Sequence, residues 1–278
     1  MLRLLTIELH KLRYNKSAKV ISIVYFILIT FIALISSIEF NFGAINFRIA
    51  DQGIFNFPYI WHFNSYIAAI LKLFLAIVIV SMTANEYSNK TLKQNLIDGL
   101  SKKEFILSKF ITVELFSLVS TLFVFGVSLV LGLIFSDYNE PGIIFSDIAY
   151  LFAYFVKLIG FFSFCLFLGI LVKRSAFALG FLLIWSISEG IIYSIFKWKI
   201  FKDTDIAESM IQFFPLTAMS NLIKEPFSRL GAVQTAANQL GEAFDKDYSV
   251  QFLTVIIVMV WTFLFIFGSY YILKRRDL

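Results

Sequence analysis

The chain has 278 residues, of which 59% are apolar, 18% aromatic and only 15% charged. Soluble domains carry about 25% charged residues, so this chain has more apolar side chains than one water-soluble core could enclose. The net charge of +5 does not indicate nucleic-acid binding, because the Lys and Arg residues lie in short clusters between long apolar runs. The composition therefore predicts a membrane protein with no nucleic-acid partner.

The chain begins with a cationic amphipathic segment, residues 1–17. Its leucines recur at helical spacing on one face: Leu2, Leu5, Leu9 and Leu12. Most of the cations lie elsewhere on the helix, which predicts an interface helix in contact with the inner leaflet and its lipids. A solvated helix that contributes only to topology is the alternative.

Six segments are then long and apolar enough to cross a bilayer, which needs about 20 mainly apolar residues. They are residues 18–38, 62–84, 110–135, 147–172, 176–195 and 250–273. Helices are expected for the spans, because no period-2 strand pattern with turns every ten residues appears and lipid tolerates no unpaired backbone group. The predicted fold is a single all-α transmembrane domain, residues 1–278, with six transmembrane helices.

The cations in the connections predict the orientation. Fifteen lie before the first span, between the second and third, between the fourth and fifth, and after the last. On the opposite side, Arg48 is alone in the first loop, and the long connection 196–249 carries six, which count for less because of its length. We expect a multi-pass protein of the cell (inner) membrane with both termini in the cytoplasm.

The connection between the second and third spans, residues 86–104, contains two helix signals. Gly99 can end a short helix in the left-handed conformation, and Ser101 with Glu104 forms a capping box that starts the next one. The predicted helix, turn, helix on the cytoplasmic face can either dock into a soluble partner or be an ordinary loop with well-capped helices.

Three ionisable residues lie deep within the predicted spans: Lys72, Lys157 and Glu189. Such groups are costly in lipid, so each needs a partner or a wet cavity. One interpretation pairs Glu189 with one of the lysines while the other extends towards the outer interface. The other places all three on a translocation path that favours an anionic or amphipathic cargo.

Sequence motifs for catalysis are absent. No Gly-Lys pair is present to form a phosphate-binding loop, and no His-Glu-x-x-His spacing indicates a zinc site. No nucleophile elbow or paired carboxylate occurs in a span. We therefore expect no catalytic residues, no metal site and no ATP hydrolysis by this chain.

The segment after the second span resembles the corresponding segment of ABC-2 type transporter permeases, the membrane subunits of ABC exporters. The matching residues are Glu86, Tyr87, Thr91, Leu92, Lys93, Gly99, Ser101, Lys102, Phe105 and Lys109. Lys90 stands where the family commonly has glycine. The basic start, the six spans, a Phe-Pro-Leu segment at 214–216 and the ending Lys-Arg-Arg-Asp-Leu agree with the same family.

The resemblance implies a permease that pairs with a second copy or a paralogue and with two cytoplasmic ABC ATPase subunits. ATP and Mg would bind to those partners, with no cofactor in this chain. It also implies an ATPase-coupling set in residues 86–104: Glu86, Thr91, Leu92, Leu96, Gly99, Ser101 and Lys102. The outer connection 196–249 is expected to form short helices that partly re-enter the membrane, or else an ordinary outer loop.

The expected function is export of a lipid-like, peptide or drug substrate. Within the same family, extrusion of sodium or copper ions is an alternative. A scaffold or anchor that transports nothing is the competing class.

Overall fold

The computed structural model describes residues 2–35, 38–42, 45–48, 53–202, 206–239 and 246–276. Within these ranges six helices are long and apolar enough to cross a membrane. They are α2 (Lys16–Ile35), α3 (Tyr59–Ser88), α5 (Lys102–Phe135), α7 (Ala149–Val172), α8 (Ser175–Ile195) and α12 (Phe252–Arg275). The predicted helical membrane fold with six spans is confirmed.

The remaining helices are short and lie at the ends of the spans. They are α1 (Leu2–Tyr14), α4 (Thr91–Ile97), α6 (Pro141–Ile144), α9 (Ile206–Ile211), α10 (Pro215–Asn221) and α11 (Gly231–Gln239), together with a π-helical turn at Phe196–Ile200 and a 3₁₀ turn at Phe227–Arg229. Helices α1 and α4 lie at one end of the bundle, which we call the α4 end; α10 lies towards the other, the α10 end.

One short pair of strands lies in the connection between α2 and α3, outside the spans. Strands β1 (Glu39–Phe42) and β2 (Ile45–Arg48) form an antiparallel hairpin in which Glu39 is opposite Arg48. The hairpin follows α2, which ends at Ile35 rather than at residue 38. Apolar and polar residues alternate in both strands, as is typical of a half-buried strand, but each strand has only four residues.

Helix α7 is the centre of the bundle and contacts α3, α5, α8 and α12. Gly160 permits the close approach of α7 to α12, because a Cβ atom there would lie 2.7 Å from Cγ1 of Val258. Three buried hydroxyls also join α7 to α2 and α5: the Tyr25 hydroxyl lies 2.6 Å from that of Tyr154 and 2.5 Å from that of Ser120. Helix α7 is thus the fixed element against which the other spans are placed.

Candidate functional site

Helix α4 connects the ends of α3 and α5 through two residues with positive φ. Lys90, before α4, has φ 57° and ψ 13°, and Gly99, after it, has φ +97°. The family position that usually holds glycine is therefore a left-handed turn, which costs a lysine roughly 1–2 kcal/mol. Ser101 accepts a hydrogen bond from the amide of Glu104, and the Glu104 carboxylate accepts one from the amide of Ser101. The predicted capping box and the glycine termination of α4 are confirmed.

Four charged side chains meet where α1, α3 and α5 pack together at the α4 end. Lys109 of α5 is fully buried, and its ammonium lies 2.6 Å from the Glu8 carboxylate of α1 and 2.7 Å from that of Glu86 in α3. Lys11 of α1 adds a second contact to Glu86 at 2.8 Å. We call Glu8, Lys11, Glu86 and Lys109 the charge cluster.

The charge cluster is electrically balanced, with two carboxylates and two ammonium groups. Breaking such a buried set is costly, because the removal of one member leaves an uncompensated charge. Lys11 lies at its edge, with 35% of its side chain exposed. Burial opposes the charged form of Lys11, but the hydrogen bond to Glu86 and the negative charges of Glu8 and Glu86 together raise its pKa above the ordinary 10.5.

Helix α4 is attached to the charge cluster through Glu86. The Thr91 hydroxyl donates to Oε2 of Glu86 at 2.5 Å, and the Asn95 side-chain amide donates to the same oxygen at 3.4 Å. Glu86 therefore holds both Lys109 and the first two turns of α4. Motion of α4 can reach α3 and α5 through this one carboxylate.

The predicted coupling residues have different environments along α4. Leu92 is buried against the bundle, and Leu96 is partly buried. Ile97, which the sequence interpretation did not select, is 74% exposed. The exposed apolar side chain of α4 is thus Ile97, at the end remote from the charge cluster.

The end of α12 is also fixed at the α4 end. The Lys102 ammonium donates to the carbonyls of Lys274 and Arg276, at 3.2 and 2.9 Å. The Arg276 guanidinium donates to the carbonyls of Ile170 and Leu171 at the end of α7. Lys102 thereby links the start of α5 to the ends of α12 and α7.

The pairing of Glu189 with a lysine is wrong. Its carboxylate accepts four hydrogen bonds instead: from the Trp185 indole at 2.9 Å, the Leu216 amide at 3.1 Å, and the amide and hydroxyl of Thr217 at 2.8 and 2.9 Å. Two of these donors are free amides at the start of α10. Helix starts attract carboxylates because their amides lack intrahelical partners.

Lys157 contacts the other end of α10. Its ammonium donates to the Ser220 carbonyl at 3.4 Å. Glu189 at the start and Lys157 near the end match the partial charges of the helix dipole. We call this arrangement the α10 clamp. The two charges that the sequence interpretation joined directly are thus separated by one short helix.

Lys72 makes no hydrogen bond or ion pair with any residue that the structure describes. Its ammonium lies 4.4 Å from the ring centroid of Phe161 in α7, a cation–π geometry. A cavity of about 450 Å³ lies between α8, α9 and α10, lined by Glu189, Glu208, Thr217 and Asn221 among others. Neither Lys72 nor Lys157 lines this cavity.

Comparison with protein families matches residues 4–197 to the ABC-2 family transporter protein description. This is well over half of the chain. The protein belongs to the ABC-2 transporter membrane family. Among curated proteins, none matches it significantly.

The region that matches the ABC-2 family includes every member of the charge cluster, all of α4, and Glu189. Helices α9 to α12 lie outside it. Permeases of this family typically have no ATPase activity themselves, and the family implies ATPase partner subunits. The substrate is not determined by this membership.

Sequence reasoning on this ABC-2 permease did not predict that Glu8 and Lys11 meet Glu86 and Lys109 in one cluster, and it left Ile97 out of the coupling set. The i,i+3 spacing of Glu8 and Lys11 does indicate a pair within α1, which the structure contains at 3.3 Å. The leucine face chosen for α1 is only partly right, because Leu4 and Glu8 are buried whereas Leu9 is 43% exposed. Helix α1 therefore turns a charged residue, rather than a purely apolar face, towards the bundle.

Proposed function

We propose that this ABC-2 permease is the membrane subunit of an exporter driven by two separate cytoplasmic ATPase subunits. It would work as a dimer with a second copy or a paralogue. The observation that carries this proposal is that α4 exposes Ile97 at one end and is attached to the charge cluster at the other.

The proposed coupling step is mechanical. Ile97 enters an apolar recess on the ATPase subunit, and closure of the ATPase pair on ATP, with its Mg, displaces α4. Thr91 passes this displacement to Glu86, and Lys109 and Glu8 carry it to α5 and α1. The two capped turns at Lys90 and Gly99 support this proposal, because they define both ends of α4.

The proposal requires the α4 end, with both termini, to face the cytoplasm. The excess of Lys and Arg in the connections at this end supports that orientation. The α10 end would then face outward, with α9, α10 and α11 at the exit side.

We further propose a lipid-like, peptide or drug cargo. The outward surfaces of the spans are apolar over most of their length, with large exposed side chains on α2, α5, α8 and α12. These surfaces suit a cargo that partitions into the bilayer before it is moved.

The docking proposal is tested with the Ile97→Asp variant. The permease is co-expressed with its ATPase and purified through a tag on the permease, and the amount of ATPase that co-purifies is measured. We expect the ATPase to be lost, because an aspartate in an apolar recess is desolvated without a partner. Leu96→Asp is a poorer test, since Leu96 also packs on the bundle.

The matched control is Ile206→Asp, an apolar residue of similar chemistry that is 47% exposed on α9 at the α10 end. It should retain the ATPase at full stoichiometry. If Ile97→Asp also retains it, or both variants lose it, α4 is not the specific docking element.

A further inference from the structure

Two ammonium groups inside the bundle lack any carboxylate partner among the residues that the structure describes. In the part of the chain that the structure describes, the Lys72 ammonium lies over the face of Phe161, and the Lys157 ammonium donates to the Ser220 carbonyl at the long distance of 3.4 Å. An ammonium has three donors, so most of their hydrogen-bonding capacity is unused. Cations at this depth are costly, which makes two unneutralised ones a feature that packing does not explain.

The two ammonium groups lie close to one face of α7. Phe161 follows Lys157 by four residues and so lies one helical turn further along the same face. Because the Lys72 ammonium lies over the Phe161 ring, it approaches the face that carries Lys157. Like charges in a medium of low dielectric constant repel, and one anion between them would stabilise both.

Glu189 cannot be that anion. An ionised carboxylate has about four acceptor positions. All four are occupied by the donors of Trp185, Leu216 and Thr217. Among the described residues, Glu189 is thus not available to neutralise either lysine.

The two lysines differ in exposure, and the more exposed one lies on the apolar outer surface of α3. Lys157 is only 4% exposed, but Lys72 is partly exposed and is flanked on α3 by Ile70 and Leu73, which are 55% and 46% exposed. A small soluble anion would have to cross hydrocarbon to arrive there. An amphiphile already in the bilayer can bring its head group along the surface of α3.

We propose that Lys72 and Lys157 together bind the anionic phosphate head group of a membrane-embedded amphiphile. This inference rests on the proposed export function and names the chemical class of its cargo. Lys157 exchanges its weak carbonyl contact for a charge-assisted one, while Lys72 keeps its place over Phe161.

The test uses the detergent-purified complex of the chain with its ATPase and measures the affinity for fluorescent phosphatidylglycerol and for phosphatidylcholine with the same acyl chains. We expect the anionic lipid to bind about tenfold more tightly, as charge-assisted contacts predict. Lys72→Met and Lys157→Met should each abolish most of this preference, and Lys72→Arg should keep it. The control Lys199→Met removes an exposed cation in the π-helical turn after α8 and should change nothing.

A second measurement separates ligand binding from a structural role. Because Lys72 is an unneutralised cation in an apolar site, Lys72→Met should raise the melting temperature of the complex while it removes the lipid preference. A lysine needed for packing would lower the melting temperature when replaced. That result would overturn the proposal.

Equal affinity for the two lipids, or a preference that survives in both methionine variants, would also overturn it. So would competition by inorganic phosphate, which would indicate a site for a soluble anion. Co-purification of the ATPase is recorded in the same samples. An intact complex without lipid preference rejects this inference alone, whereas a chain that never retains an ATPase rejects the proposed function.

Discussion

The charge cluster and the α10 clamp handle buried charge in opposite ways. In the cluster, Lys109 lies within 2.7 Å of two carboxylates, and α1, α3 and α5 are joined by direct ion pairs. In the clamp, Glu189 and Lys157 contact opposite ends of α10, and the Lys157 contact is long. Direct pairs give a rigid joint that can transmit force, whereas charges separated by a short helix leave that helix, and the lysine, free to change partners.

The largest effect is expected for Lys109→Met. Its removal leaves Glu8 and Glu86 as two buried carboxylates with only Lys11 nearby, which should cost about 3–5 kcal/mol of unfolding free energy. Thermal unfolding followed by tryptophan fluorescence measures it. Lys103→Met, which removes an exposed cation from the same helix, is the control. Equal melting temperatures for the two variants would mean that the cluster is not a structural joint.

An intermediate effect is expected for Glu189→Gln. The amide group of glutamine puts a donor where the α10 start offers donors, so at least one buried N–H loses its acceptor, at about 1–3 kcal/mol. Glu208→Gln, at the same cavity, removes an exposed ion pair with Lys197 and should change the free energy of unfolding much less, because solvent screens this pair. If the two variants unfold alike, Glu189 does not hold α10.

The smallest effect is expected for Lys11→Met at the exposed edge of the cluster. Since about a third of its side chain is in solvent, its ion pairs should contribute no more than about 1 kcal/mol, and less at high salt. The raised pKa of Lys11 means that this stability is fully present below its ordinary pKa of 10.5 and is lost only as pH rises through the raised value. A stability difference that varies across the neutral pH range would contradict this assignment.

The spans could be predicted because an apolar run is a local property of the sequence. The capping box at Ser101 and the end of α4 at Gly99 could be predicted for the same reason. The ion pairs of Lys109 could not be predicted, since its partner Glu8 lies far away in sequence.

The hydrogen-bond partners of Glu189 could not be predicted from its depth in the membrane alone. A buried carboxylate needs donors, and lysines at a similar level were the obvious ones in the sequence. The backbone amides of α10 were a better source, and Pro215 at the first turn of that helix indicated it, because proline is common where a helix begins. A sequence signal for the start of a helix therefore also indicates backbone amides that can donate hydrogen bonds to a buried carboxylate.

The proposed coupling role of α4 is tested most directly by photo-crosslinking in intact cells. A photoreactive amino acid is placed at position 97, with position 206 at the opposite end of the bundle as the control. We expect position 97 to capture an ATPase subunit and position 206 to capture none. A capture at position 206, or none at position 97 in cells that contain both subunits, would contradict it.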